Sequence, residues 1–214
     1  MYLPHSADKQ KLDLSRWPRR EHFAFFNAFE EPYYGVTVQL DCTIAYQFAK
    51  ARGISFFLYS IYQTLAAAQQ IEAFRLRIED NDVFLYNRID AGSVIDRPDD
   101  TFGYGLLPYS TDLNTFIETA NLEIARVRST TGLTRTTANN IIRYSTLPWI
   151  DFTSLSHARS LSRRDTCPYI TFGKMTEHDG TRSMPLSVHV NHALVDGLQL
   201  GRYLELLQQL LNAE

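Results

Sequence analysis

The stretch Leu186–Gly197 reads LSVHVNHALVDG, and aliphatic residues alternate with polar ones over its first six positions. This period of two predicts a β-strand whose two faces differ chemically. The strand is expected to end at His192, after which Asp196-Gly197 gives a turn before the apolar helical pattern of residues 198–211. The sequence therefore predicts strand, turn and helix in succession, with a histidine at the end of the strand.

His192 is a candidate general base. An imidazole has an unperturbed pKa of about 6.5, so near pH 7 it accepts a proton from a hydroxyl or thiol without first losing one. Asp196 serves such a site either as a direct partner of the imidazole or as the anchor of the turn and N-cap of the next helix, and we favour the anchor. A buried carboxylate then requires an arginine elsewhere in the chain, because an unpaired buried charge costs several kcal/mol. A His-x-x-x-Asp-Gly sequence also occurs by chance and does not define a site alone.

Composition sets the outer limits of the interpretation. The chain has 214 residues, of which 44% are hydrophobic and 13% aromatic, which predicts one domain over residues 1–214 with a substantial core. A formal charge of −3 and the lack of a long basic run argue against nucleic acid or an anionic membrane as partner. Residues 1–11 are charged and resemble neither a signal peptide nor an anchor, so we expect a cytoplasmic protein. Cys42 and Cys167 lack metal-ligand spacing, so both are expected to be reduced and structural, and no metal is expected.

The remaining periodic segments predict several further elements. Pro168–Met175 is expected to form a strand antiparallel to the final one, which would place Thr171 near His192. The polar run of residues 129–140 is expected to be either a loop or a continuation of the preceding helix without an apolar stripe. The other predicted elements are a strand over 32–44, helices over 45–52, 56–71 and 112–128, a hairpin of 73–79 with 83–86, extended segments over 93–96 and 102–107, and a strand from 141.

Two other stretches contain residues suited to a site. Residues 13–26 hold three arginines and four aromatic rings, which is either a solvated basic patch over apolar anchors or the source of the cation that Asp196 requires; spacing alone does not decide. The strand from residue 141 ends in Ser145-Thr146-Leu147-Pro148-Trp149, where a hydroxyl is placed to donate to a developing oxyanion. Taken alone, this second stretch is more simply a capped strand end.

Together these motifs resemble the chloramphenicol acetyltransferases. The resemblance rests on WPRREHF at residues 17–23, STLPWIDF at 145–152 and the final strand and helix, in the same order over nearly the whole chain. Thr101-Phe102-Gly103 and PYSTD at residues 108–112 extend it through the middle. The His-x-x-x-Asp-Gly motif also resembles that of the wider superfamily of CoA-dependent acyltransferases, which includes dihydrolipoamide acyltransferases and condensation domains.

The resemblance implies a fold, a reaction and an assembly. The implied fold is of the α/β class, a two-layer α+β sandwich with a mixed sheet covered by helices. The implied reaction moves an acetyl group from acetyl-CoA, as cosubstrate, directly to a hydroxyl of chloramphenicol or a related small acceptor, with no acyl-enzyme and no metal. Antibiotic resistance is the role usually attached to this reaction. The implied assembly is a homotrimer with each active site at a subunit interface.

The resemblance also implies roles for particular residues. His192 matches the general base and Ser145 matches the serine whose hydroxyl stabilises the tetrahedral oxyanion. Thr171 matches a threonine that helps to solvate the same intermediate. Asp196 matches a structural aspartate, and Arg19 matches the arginine that forms a salt bridge with it. The implied acceptor pocket and CoA contact involve four further positions, which are Phe26, Phe102, Tyr104 and, near the CoA phosphates, Lys174.

This sequence departs from the family pattern at several positions, three of which bear on catalysis or on the acceptor pocket. Asn191 stands where the first of two histidines is common, but the base is retained, so we expect catalysis to survive. Phe26 falls where chloramphenicol-binding members carry a tyrosine that hydrogen-bonds the antibiotic, which predicts weaker binding of that compound. Tyr104 occupies a place near Phe102 where a smaller residue is usual, which predicts a reshaped acceptor pocket.

Two alternative functions keep the same fold. One is an acyltransferase that uses a carrier thiol such as dihydrolipoamide, and the lack of a recognisable lipoyl or peripheral-subunit-binding segment argues against it. The other is a non-catalytic trimer that only binds a small molecule, and the intact base argues against that.

Overall fold

The computed structural model describes residues 8–160 and 165–213. Its helices are α1 (Arg20–Asn27), α2 (Thr43–Ala51), α3 (Phe56–Gln70), α4 (Glu72–Arg75), α5 (Leu113–Arg128) and α6 (Gly197–Leu211). Its strands are β1 (Lys9–Lys11), β2 (Tyr33–Asp41), β3 (Leu76–Glu79), β4 (Asp82–Tyr86), β5 (Asp90–Asp96), β6 (Phe102–Leu107), β7 (Ile141–Thr146), β8 (Tyr169–Phe172), β9 (Thr176–His178) and β10 (Thr181–Asn191).

The main sheet is mixed. Its strands lie in the order β2-β10-β8-β7-β5-β6, with β9 paired to β10, and a smaller sheet has the order β1-β4-β3. The pairs β5·β7 and β7·β8 are parallel, whereas β10 is antiparallel to both β2 and β8. The predicted mixed α/β architecture is therefore confirmed, and so is the predicted antiparallel pairing of β8 with β10.

One face of the main sheet packs against helices. Leu186, Val188 and Val190 of β10 are fully buried there, since burying aliphatic surface drives this packing. The hydroxyl groups of Thr64 on α3 and Tyr144 on β7 lie 2.9 Å apart on this face. The alternation read from the sequence thus corresponds to the core-facing side of β10, which α2 contacts.

The opposite face of the main sheet is polar, and we call it the polar face. It carries Arg143, Ser145, Tyr169, Thr171, Ser187 and His189, which occupy alternate positions on β7, β8 and β10. The loop that follows β7 crosses this face, because the His157 ring contacts both Tyr169 and His189. No helix in the described part of the chain is both long enough and apolar enough to cross a membrane.

Several predicted strand boundaries are wrong by about three residues, and two of them have a clear physical reason. The predicted strand from Ala73 begins only at Leu76, because residues 72–75 form α4. Ala73 and Phe74 are adjacent and both buried, whereas a strand with one buried and one exposed face would bury only alternate residues. Phe74 stacks on Tyr203 of α6, with ring centroids 4.0 Å apart. The predicted strand over 32–44 ends at Asp41, whose carboxylate accepts a hydrogen bond from the backbone N–H of Thr43 and so turns the chain into α2.

Candidate active site

His192 lies directly after β10 and is held by its neighbours. Its backbone N–H donates to the carbonyl of Pro32, which fixes the end of the strand. Its ring stacks on Phe26, with centroids 3.8 Å apart and planes 8° apart, and it lies 4.6 Å from the Tyr34 ring. Nδ1 is buried and has no hydrogen-bond partner among the described residues. The imidazole is therefore oriented by aromatic packing, with one nitrogen enclosed.

Asp196 anchors the turn that follows His192. Its carboxylate accepts hydrogen bonds from the backbone N–H groups of Leu198 and Gln199 at the start of α6 and forms an ion pair with Arg19. Burial by itself raises the pKa of Asp196, but the bond and charge of Arg19, with the helix N–H groups, outweigh burial and hold the pKa below its ordinary value. The structure thus brings Asp196 together with Arg19 and with the helix start, the geometry expected of an anchor.

Ser145 and Thr171 lie on the polar face, one strand apart. Ser145 of β7 is opposite Thr171 of β8, and Thr171 is opposite Ser187 of β10. Thr171 is buried, and its Oγ1 lies 3.5 Å from Nε2 of His157. Ser145 lines a cavity of about 810 Å³, whose walls also include Tyr104, Thr119, Glu123, Arg135 and Tyr169.

The strand register separates His192 from Ser145 within one chain. His192 lies five residues beyond Ser187 on the line of β10, and Ser145 is two strands away from Ser187. At about 3.4 Å per residue and 4.8 Å per strand, the two side chains are about 20 Å apart. The expected proximity of Thr171 and His192 is wrong within a chain for the same reason, because Thr171 pairs with Ser187 and not with the end of β10.

The site residues therefore fall into two groups. The base half-site comprises Arg19, Phe26, Tyr34, His192 and Asp196. The cavity half-site comprises Tyr104, Arg135, Ser145, Tyr169 and Thr171.

The predicted pocket and CoA residues are distributed over several places. Tyr104 lines the cavity, whereas Phe26 belongs to the base half-site. Phe102 is exposed and meets the Tyr104 ring edge-on at 5.8 Å. Lys174 is exposed beyond the end of β8, where its backbone N–H donates to the carbonyl of Ile150.

Sequence reasoning missed several residues of the cavity half-site and its surroundings. Arg143 and Tyr169 share the polar face with Ser145 and Thr171, two positions earlier on the same strands, so the period of two does contain a signal for them. Arg135 and His157 lie in loops without periodicity, and no sequence signal marks them. Burial, and then the charges of His189 and Arg159, lower the pKa of His157 to about 4. His157 is thus neutral at pH 7.

Comparison with solved structures defines the class of protein. A probable dihydrolipoamide acetyltransferase from Listeria monocytogenes has a TM-score of 0.66 at 13% identity, covering 89% of this chain and 88% of that one. At this identity the likeness shows the fold alone. A solved chloramphenicol acetyltransferase has a TM-score of 0.87 at 30% identity, covering 96% of this chain and 100% of that one.

Sequence comparison then gives the family. The family model described as chloramphenicol acetyltransferase matches residues 8–208. A chloramphenicol acetyltransferase of Proteus mirabilis is 29% identical over 200 residues, 92% of each chain. Chloramphenicol acetyltransferase 3 of Escherichia coli is 28% identical over 207 residues, 95% of this chain and 97% of its own. The chain belongs to the chloramphenicol acetyltransferase family, so the predicted family and enzyme class, an acetyltransferase, are confirmed.

Proposed function

We propose that the protein transfers the acetyl group of acetyl-CoA directly to a hydroxyl of chloramphenicol or a related small acceptor. The observation that carries this proposal is the His192 ring, packed between Phe26 and Tyr34 at the end of a rigid strand with Nδ1 enclosed. Such a ring offers Nε2 to a substrate in a fixed direction. The Arg19–Asp196 ion pair holds the turn that follows and so supports the position of the ring.

The reaction we propose needs one base and one oxyanion donor. Nε2 of His192 takes the proton of the acceptor hydroxyl while that oxygen attacks the thioester carbonyl carbon. The hydroxyl of Ser145 donates a hydrogen bond to the resulting oxyanion, a contribution of about 3 kcal/mol for one well-placed donor, and Thr171 helps to solvate it. When the intermediate collapses, the C–S bond breaks and the CoA sulfur takes the proton from His192, so no acyl-enzyme forms.

This mechanism requires two chains, and we propose a homotrimer. A separation of about 20 Å is far beyond hydrogen-bond reach, so His192 does not act with the Ser145 of its own chain. The base half-site and the cavity half-site are different surfaces, and joining them between copies gives a head-to-tail interface that closes into a ring. Each active site would then take His192 from one subunit and Ser145 from the next.

The donor is acetyl-CoA in this proposal, and Lys174 contacts its phosphate groups. An exposed ammonium group outside the sheet is suited to a solvated phosphate as a point charge. Cys42 and Cys167 are buried and free, which fits a reducing compartment such as the cytoplasm, where we place the reaction.

A CoA-release assay with acetyl-CoA and chloramphenicol tests the proposal. His192→Ala should lower kcat by about 10²- to 10⁴-fold, the range for loss of a general base. His178→Ala is the matched control, because His178 is exposed and pairs only with its neighbour Asp179 among the described residues. Retained activity in His192→Ala, with an unchanged oligomeric state, would rule out His192 as the base.

A further inference from the structure

The cavity that contains Ser145 has an unbalanced positive charge. Arg126 on its wall donates two hydrogen bonds to Glu123, with N–O distances of 2.6 and 2.7 Å. Arg143 pairs with Asp165 at 2.7 Å. Arg135 is the third arginine on the wall, and within residues 8–160 and 165–213 no carboxylate pairs with it. The cavity therefore offers a guanidinium whose charge is not neutralised.

Aromatic side chains hold this guanidinium in place. The carbon at the centre of the Arg135 guanidinium lies 5.1 Å from the centroid of the Tyr104 ring. Burial raises the pKa of Tyr169, and the Arg135 side chain acts in the opposite direction, which fits a position of Arg135 close to that hydroxyl. Arg135 lines the cavity and is exposed, and a guanidinium has five N–H donors, so donors remain for a ligand.

The strand register gives the spacing between Ser145 and Tyr104, the residue that Arg135 contacts. Tyr104 on β6 is opposite Val94 on β5. Ser93 is opposite Tyr144, and the same parallel register carried one residue further places Val94 beside Ser145. Tyr104 and Ser145 are thus two strands apart on the polar face, about 10 Å. Because the Arg135 guanidinium lies 5.1 Å from the Tyr104 ring, a molecule whose hydroxyl reacts beside Ser145 would reach this cation with a group on the order of 10 Å away.

We propose that the acceptor is a hydroxylated carboxylate, whose anionic group binds Arg135 about 10 Å from the hydroxyl that is acetylated. This inference rests on the proposed function. A carboxylate accepts two parallel hydrogen bonds from a guanidinium, whereas an apolar neutral acceptor would cover the cation without pairing it, which is costly. Thr119, Thr134 and Thr136 add hydroxyl groups to the same walls, and about 810 Å³ is ample for such a molecule.

The test compares 8-hydroxyoctanoate with its primary amide, which has the same length without the charge. The wild-type protein should show a kcat/KM about tenfold higher for the carboxylate, a modest value because Arg135 is exposed. Arg135→Gln should abolish this preference, and Arg135→Lys should retain part of it because the charge remains without the planar fork. Arg202→Gln, an exposed position on α6, is the control and should keep the full preference.

A binding measurement separates this inference from the proposed function. Calorimetric titration of both compounds into the His192→Ala protein without acetyl-CoA should show the same carboxylate preference, and it should disappear in His192→Ala/Arg135→Gln. If no acceptor is acetylated but this preference is present, the proposed function fails, and what stands is that Arg135 binds the carboxylate of a ligand in this cavity. Equal binding of the two compounds would overturn the inference. The inference would also be overturned if Arg135→Gln raised the KM for acetyl-CoA and left the KM for the acceptor unchanged, since Arg135 would then bind the acetyl donor.

Discussion

Two variants that are each impaired should restore activity when their chains are mixed. His192→Ala removes the base half-site of a chain and leaves its cavity half-site intact, whereas Ser145→Ala does the reverse. Because the two side chains are about 20 Å apart in one chain, no rearrangement of side chains brings them together. Recovery of activity therefore depends on sites that are shared between subunits.

The size of the recovery follows from the ring. Each interface takes the base half-site from one chain and the cavity half-site from the next. An intact site forms only where a Ser145→Ala chain precedes a His192→Ala chain, and random assembly of equal amounts gives this at about one interface in four. The mixture should reach about one quarter of wild-type activity, against residual rates about 10²- to 10³-fold below wild type for Ser145→Ala alone.

The assay is CoA release after the two variants are co-expressed, or unfolded and refolded together. Separately refolded variants that are mixed only afterwards serve as the control, because slow subunit exchange leaves them near the sum of their own rates. A His192→Ala/Ser145→Ala chain refolded with the His192→Ala chain should give no recovery, since no base is present. If the co-refolded pair stays at the level of the separate variants although it forms mixed oligomers, the shared-site model is refuted.

Three further substitutions test other parts of the structure. Phe26→Tyr adds a hydroxyl to the ring that stacks on His192 and should lower the KM for chloramphenicol about fivefold, the effect of one net hydrogen bond. An unchanged KM would show that the missing hydroxyl at position 26 does not weaken binding of chloramphenicol. Asp196→Asn should lower the free energy of unfolding by about 1 kcal/mol at pH 7, measured by urea titration. The folded protein holds the pKa of Asp196 below its ordinary value. The stabilisation that ionised Asp196 gives to the fold is therefore fully present above the pKa of the unfolded chain and is lost as pH falls through the pKa of the folded protein. The difference in free energy of unfolding between Asp196→Asn and wild type should accordingly shrink in acid and not in base. Tyr144→Phe removes the hydroxyl that pairs with Thr64 on the core face and should lower the free energy of unfolding by about 1 kcal/mol. The KM for the acceptor should be unchanged, and a large rise in that KM would contradict the assignment of Tyr144 to the core.

Local chemistry made the end of the chain predictable from sequence. The alternation before His192 and the Asp196-Gly197 turn act within a few residues, and β10 and α6 are found where that pattern places them. The start of β3 was not predictable in this way. Phe74 takes a helical conformation because it packs on Tyr203, about 130 residues later in the chain, and such a contact leaves no local pattern.

The candidate site likewise has parts that local chemistry predicts and parts that depend on contacts between residues far apart in the chain. A buried carboxylate demands a cation, so the need for an arginine beside Asp196 followed from elementary electrostatics, and the family motif named Arg19. Strand periodicity leaves the register between strands open, because a shift by two residues preserves every face, so the pairing that places Ser145, Thr171 and Ser187 side by side is known only from the structure. That register is what separates Ser145 from His192 and sets the spacing from Ser145 to Tyr104, so the need for a second chain follows from pairing, and the length of the acceptor follows from pairing together with the Tyr104–Arg135 contact.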